Sequence, residues 1–130
     1  MTNNFDRALT DLGFSSFGEN NLFTYVLQRE TGGDILVNLY RDVDSKMLRV
    51  SALTSNAVPA TISCNFFRKI TSAALEPFRD GVGVGIAEED DHVCVYFSLP
   101  IENYVSGNSV VVLAEILEQI ENWDALLAAE

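Results

Sequence analysis

The chain has 130 residues, 48% of them hydrophobic, and 19 Asp and Glu against 8 Lys and Arg, for a formal net charge of −11. That length fits one domain with a sizeable core, and so acidic a surface repels phosphate, so nucleic acid is not an expected partner. No run reaches the ~18 apolar residues of a membrane span, and no membrane association is expected.

The opening MTNNFDRALTDLG carries an early acid and lacks the basic-then-apolar order of a signal peptide. Within it Phe5, Ala8, Leu9 and Leu12 fall on one stripe, which predicts a helix over 3–12, capped by Asn3 or Asn4 and stopped by Gly13. Strands are predicted at 22–29, 34–41 and 46–53, joined by polar turns at 31–34 and 42–45. Such short connections make an antiparallel meander. Ile35, Val37, Leu39, Leu48 and Val50 are expected on its core face. Phe23, Tyr25, Leu27, Leu36, Tyr40, Met47 and Leu53 are expected on the other.

Residues 54–62 read as a connector, and Ser63 as the cap of a helix over 64–78 that Pro77 weakens at its end. Phe66, Phe67, Ile70 and Ala74 spread over more than one side of that helix, so it calls for burial on two sides. A hairpin over 82–99 follows, turning at the acids 88–91. After a loop at 101–108, Leu113, Ile116, Leu117, Ile120, Trp123 and Leu127 trace the stripe of a helix over 109–128, with Glu115, Glu118 and Glu121 on its wet side. The expected fold is α+β, one domain (1–130) of order αβββαββα, with three helices and a mainly antiparallel twisted sheet.

Gly81, Gly83 and Gly85 alternate at the start of that hairpin. A dinucleotide fingerprint needs its glycines between a strand and a helix, whose N-terminus holds the pyrophosphate. Here a helix precedes them and acids follow, so they read as a bare strand face kept for close approach, with the helix 64–78 as the expected neighbour. Asp42-Val43-Asp44 begins like a calcium loop but lacks the later ligands and the glycine. His92 and Cys94 would share a strand face, yet no orienting acid or oxyanion donor accompanies them. Cys64 and Cys94 form no metal or redox motif and read as small buried hydrophobes of a reducing cytosol. No catalytic residue, metal or cofactor is expected.

This layout resembles the class I chaperones of bacterial type III secretion over its whole length. The first helix FDRALTDLG, the meander 22–53, the helix 64–78, the hairpin 82–99 and the acidic last helix correspond in turn. The resemblance implies a cytoplasmic homodimer that uses no ATP and holds the N-terminal region of a secreted effector in an extended, export-competent form. It also implies dimer contacts on the second helix and the next strand, here Phe66, Phe67, Ile70, Ala74, Gly81, Gly83 and Gly85. Client contact is then expected on Phe23, Tyr25, Leu27, Leu36, Tyr40, Met47 and Leu53, since apolar patches and open sheet edges accept unfolded segments. Rival readings are a regulatory protein of the same fold that sequesters a transcriptional regulator, and a small-molecule-binding α+β domain.

Overall fold

The computed structural model describes residues 3–30, 33–76, 82–87 and 91–130. In chain order the elements are α1 (Asn4–Asp11), β1 (Leu22–Leu27), β2 (Ile35–Asp42), β3 (Met47–Ala57), α2 (Cys64–Ala73), β4 (Gly83–Ala87), β5 (His92–Pro100) and α3 (Asn108–Ala128). The five strands form one sheet of order β1-β2-β3-β5-β4, with every neighbouring pair antiparallel. The expected αβββαββα order and antiparallel sheet are both present.

Helix ends follow local chemistry. The Asn3 side chain accepts a hydrogen bond from the Asp6 N–H at 2.8 Å and caps α1. Gly13, at φ +88°, takes the left-handed turn that ends it. Ser63 caps α2 by accepting from the Phe66 N–H at 3.1 Å, and donates its own N–H and hydroxyl to the Glu130 carboxylate beyond the end of α3. α3 starts at Gly107 with no side-chain cap of its own. Its anion comes from α1: Asp11 accepts from the Gly107 N–H at 3.0 Å and from the Tyr104 hydroxyl at 2.6 Å. Those bonds, the Tyr104 one foremost, hold the Asp11 carboxyl below its ordinary value.

α3 lies across β3 and β5, α1 packs on α3, and α2 borders β4. Phe66 meets Trp123 edge to face at 5.7 Å, which joins α2 to α3. Beneath the helices Ile35, Val37, Leu39, Leu48, Val50, Val93 and Val95 are buried, as alternation predicts. The opposite face, with Leu36, Asn38, Tyr40, Ser51, Leu53 and Tyr96, is half-buried or exposed, and no described helix covers it.

Five expectations need correction. Cys64, at the start of α2, is exposed and Cys94 only half-buried, so neither is a core hydrophobe; the other four concern the strands, α2 and the glycines. β3 runs on to Ala57, so half of the supposed connector is strand, with a register break between Leu53 and Ala57. Asp124 of α3 makes that break possible. Its buried carboxylate accepts from the N–H groups of Ser55 (3.2 Å) and Asn56 (3.0 Å), which lack ladder partners there. Arg29 closes the same knot at 3.1 Å from Asp124 and 2.7 Å from Glu121.

The third correction is the length of α2, which ends at Ala73; Pro77, Phe78 and Gly81 lie outside the described residues. The fourth concerns β1. The ladder sets Phe23 opposite Leu39, Tyr25 opposite Val37 and Leu27 opposite Ile35. Paired residues share a face, so these three side chains lie on the helix side of the sheet, not with Leu36 and Tyr40. The fifth is the neighbour of the glycines. The Tyr96 ring of β5 covers Gly83, while Gly85 has nothing within 4 Å of where a Cβ would stand. Close approach at Gly83 is therefore to an aromatic ring within the sheet and not to α2.

Candidate client-binding surface

β1 is an edge strand, and its two faces are both apolar. Leu22 (54% exposed) and Val26 (49% exposed) project on the open face, beside Tyr40 and Leu36 respectively. On the helix side the Phe14 ring stands 4.8 Å from Phe23 and 5.0 Å from Tyr25. That cluster lies at the rim of the core, with Phe14, Phe23 and Leu27 half-buried and Tyr25 exposed. Backbone groups of Leu22–Leu27 bond toward β2, and among the described residues nothing pairs with the strand's outer edge. Such an edge offers a row of donors and acceptors flanked by apolar side chains.

The open face continues the surface inward. Cross-strand register lines up Val26, Leu36, Leu53 and Cys94 as one apolar row across four strands, ending beside Gly85 of β4. The next row is Thr24, Asn38, Ser51 and Tyr96, with the Thr24 hydroxyl donating to Asn38 at 2.9 Å. A third holds Leu22, Tyr40, Arg49 and Ser98, and Arg49 is bound to Asp42 at 3.0 Å. An open hollow of about 250 Å³ lies by Leu36, Leu53, Asp34 and His92. The open face thus carries one apolar row, a polar row beside it, and a third row that is apolar at Leu22 and Tyr40 and polar at Arg49 and Ser98.

The client-contact residues expected from sequence thus divide. Leu36, Tyr40, Met47 and Leu53 are together on the open face; Phe23, Tyr25 and Leu27 are around the β1 edge on the helix side. Leu22, Val26, Phe14 and Tyr96 were not among them. Leu22 and Val26 alternate with the chosen β1 residues, and only the partner strand decides which set faces which way. The residues expected at a dimer contact divide too. Phe66 and Ile70 are in the chain's own core, Phe67 (58%) and Ala74 are exposed, Gly83 is under Tyr96 and Gly85 is open.

His92 and Cys94 are not arranged as base and nucleophile. The His92 Nδ1 is 2.6 Å from the Thr54 carbonyl, and burial pushes the Cys94 thiol up, away from the reactive thiolate. No helix among the described residues is long and apolar enough to cross a membrane.

Three solved structures superimpose on nearly the whole chain. One chain of the HopA1–SchA chaperone–effector complex matches at a TM-score of 0.71 with 18% identity, over 93% of this chain and 90% of that one. A chain of the ExsC–ExsE complex gives 0.71 and 18%, over 95% and 90%. A chain of the heterodimeric ExoU–SpcU complex from the type III secretion system of Pseudomonas aeruginosa gives 0.70 and 13%, over 96% and 98%.

The chain has the fold of the type III secretion chaperones. At these identities the likeness is one of fold. No protein-family model and no curated relative matches the sequence. In this chain the fold places β1 at one edge of the sheet.

Proposed function

We propose that this protein is a type III secretion chaperone. It binds an extended segment near the N-terminus of a secreted effector, keeps that segment soluble and unfolded for export, and does so in the bacterial cytoplasm without ATP. The observation that carries this reading is the unpaired edge of β1 with apolar side chains on both of its faces. An unfolded segment laid along it gains main-chain hydrogen bonds, while its alternate side chains reach Leu22, Val26 and Leu36 on one side and Phe14, Phe23 and Tyr25 on the other. The net charge of −11 steers basic segments toward this surface. The working form is a homodimer joined through α2, whose Phe67 side chain is more than half exposed, as is that of Leu75 just past its end.

The test is capture from the bacterium that makes the protein, followed by identification of the bound partner. The expected partner is a type III substrate that is lost when its N-terminal region is deleted and that stays bound without ATP. A folded transcriptional regulator as the natural partner, or turnover of a small molecule by the isolated protein, would contradict the reading.

A further inference from the structure

β1 joins the sheet through β2 alone, so the seat of its free edge depends on what holds its ends. Arg29 stands two residues past the end of β1, with its side chain only 13% exposed. All three of its guanidinium nitrogens donate. Nε donates to the Gly33 carbonyl at 2.7 Å, Nη1 to Glu121 of α3 at 2.7 Å, and Nη2 to the Ser55 hydroxyl at 2.7 Å and to Asp124 at 3.1 Å. One side chain thus ties the chain after β1 to the start of the next strand, to α3 and to the register break of β3. Gly33 marks the same seat independently. A Cβ on it would stand 2.7 Å from the Ser55 Cβ, so the backbone leading into β2 lies directly against β3.

An added strand needs the donors and acceptors of its template in a regular row. Edge strands with few neighbours open locally at small cost, and an anchor at one end raises that cost. We propose that Arg29 is the positioning residue of the client edge: by fastening the end of β1 to β3 and α3, it keeps the outer backbone groups of Leu22–Leu27 in the row that an incoming segment pairs with. This rests on the client reading above and adds what makes the edge ready before a client arrives. Arg29 is largely covered, so it acts through the strand and not by touching the client. If its loss leaves the edge seated about one-tenth of the time, apparent affinity falls about tenfold, because the client binds only the seated form. That loss appears in the association rate, whereas loss of a direct contact appears in dissociation.

Two measurements on the full chain test it: hydrogen exchange of the free protein, and binding kinetics with the N-terminal segment of the captured effector. Arg29→Ala should speed exchange of the β1 amides about tenfold, more than those of α1 or β5, and slow association about tenfold with little change in dissociation. Arg29→Lys keeps a charge beside Asp124, but one nitrogen cannot also span to Gly33 and Glu121. It should recover most of the melting temperature and still associate slowly. Gly33→Ala keeps Arg29 and pushes the backbone off Ser55, so it should slow association too, even where Arg29→Ala fails to fold. Ile116→Val weakens the core without touching this seat and should associate as wild type does. Unchanged β1 exchange in Arg29→Ala and Gly33→Ala, or an affinity loss lying wholly in dissociation, would overturn the positioning role. The client reading would stand if Tyr25→Asp and Val26→Asp still weakened binding. Full affinity in all of these variants would overturn the client edge itself and this inference with it.

Discussion

Tyr25 stands opposite Val37 in the β1–β2 ladder, and Val37 is buried in the core. That one pairing puts Tyr25 on the helix side and sends Val26 to the open face, beside Leu36. β1 therefore presents two apolar surfaces with a free backbone edge between them, the edge on which the proposed client would lie. Val26→Asp and Tyr25→Asp should each lower client affinity about tenfold or more, since each removes an apolar contact from one side of the edge. Both side chains are exposed, so the melting temperature should change little. Val43→Asp, as exposed but in the turn after β2 and off the β1 edge, should leave binding unchanged in titration calorimetry.

Gly83 and Tyr96 form a second testable pair. A Cβ at Gly83 would run into the Tyr96 ring, which is itself near the surface and can swing aside. Gly83→Ala should thus cost about 1 kcal/mol in urea unfolding. In a Tyr96→Ala background the same change should be neutral or slightly stabilising. Gly85→Ala has open space and should be tolerated. Equal costs for Gly83→Ala in both backgrounds would refute the contact.

Asp124 ties β3, the chain after β1 and α3 together. Asp124→Ala strands the Ser55 and Asn56 N–H groups and removes the inner partner of Arg29. The loss should be about 3 kcal/mol, the range for breaking a buried pair from one side. Glu121→Ala, at the exposed end of the same network, should cost about 0.5 kcal/mol. Similar costs for the two would show that the carboxylate is not the hub.

Asp11 predicts a pH dependence. Its folded carboxyl titrates below the ordinary value of 3.8 because the Tyr104 hydroxyl and the Gly107 N–H donate to the charged form. The stabilisation is therefore complete above the ordinary value and is lost as pH falls through the lower folded one. Asp11→Asn should melt below wild type at neutral pH, and the gap should close on acidification. A gap independent of pH would contradict the charged cap on α3.

The sequence made the helix stripes and the core faces of β2 and β3 readable, because apolar and polar residues recur there with a clear period. In β1 both alternating sets, Leu22 and Val26 as well as Phe23, Tyr25 and Leu27, are apolar. Period alone cannot choose between them; the partner strand does. The extension of β3 through Ser55 and Asn56 depends on a carboxylate supplied by Asp124, far away in the chain, so local propensity reads it as a connector. The glycines announced a close approach, but Tyr96 lies on another strand and only the register brings it over Gly83. The candidate client surface was half legible for the same reason as β1: its residue types were visible and their sidedness was not.

Hydrogen exchange on β1, with and without the N-terminal segment of the captured effector, tests the central claim most directly. A client that adds a strand bonds the outward-pointing N–H groups of Leu22–Leu27, so alternate amides of that strand should become protected while β4 stays as it was. Protection confined to other elements, with β1 exchanging at its free rate in the complex, would contradict it.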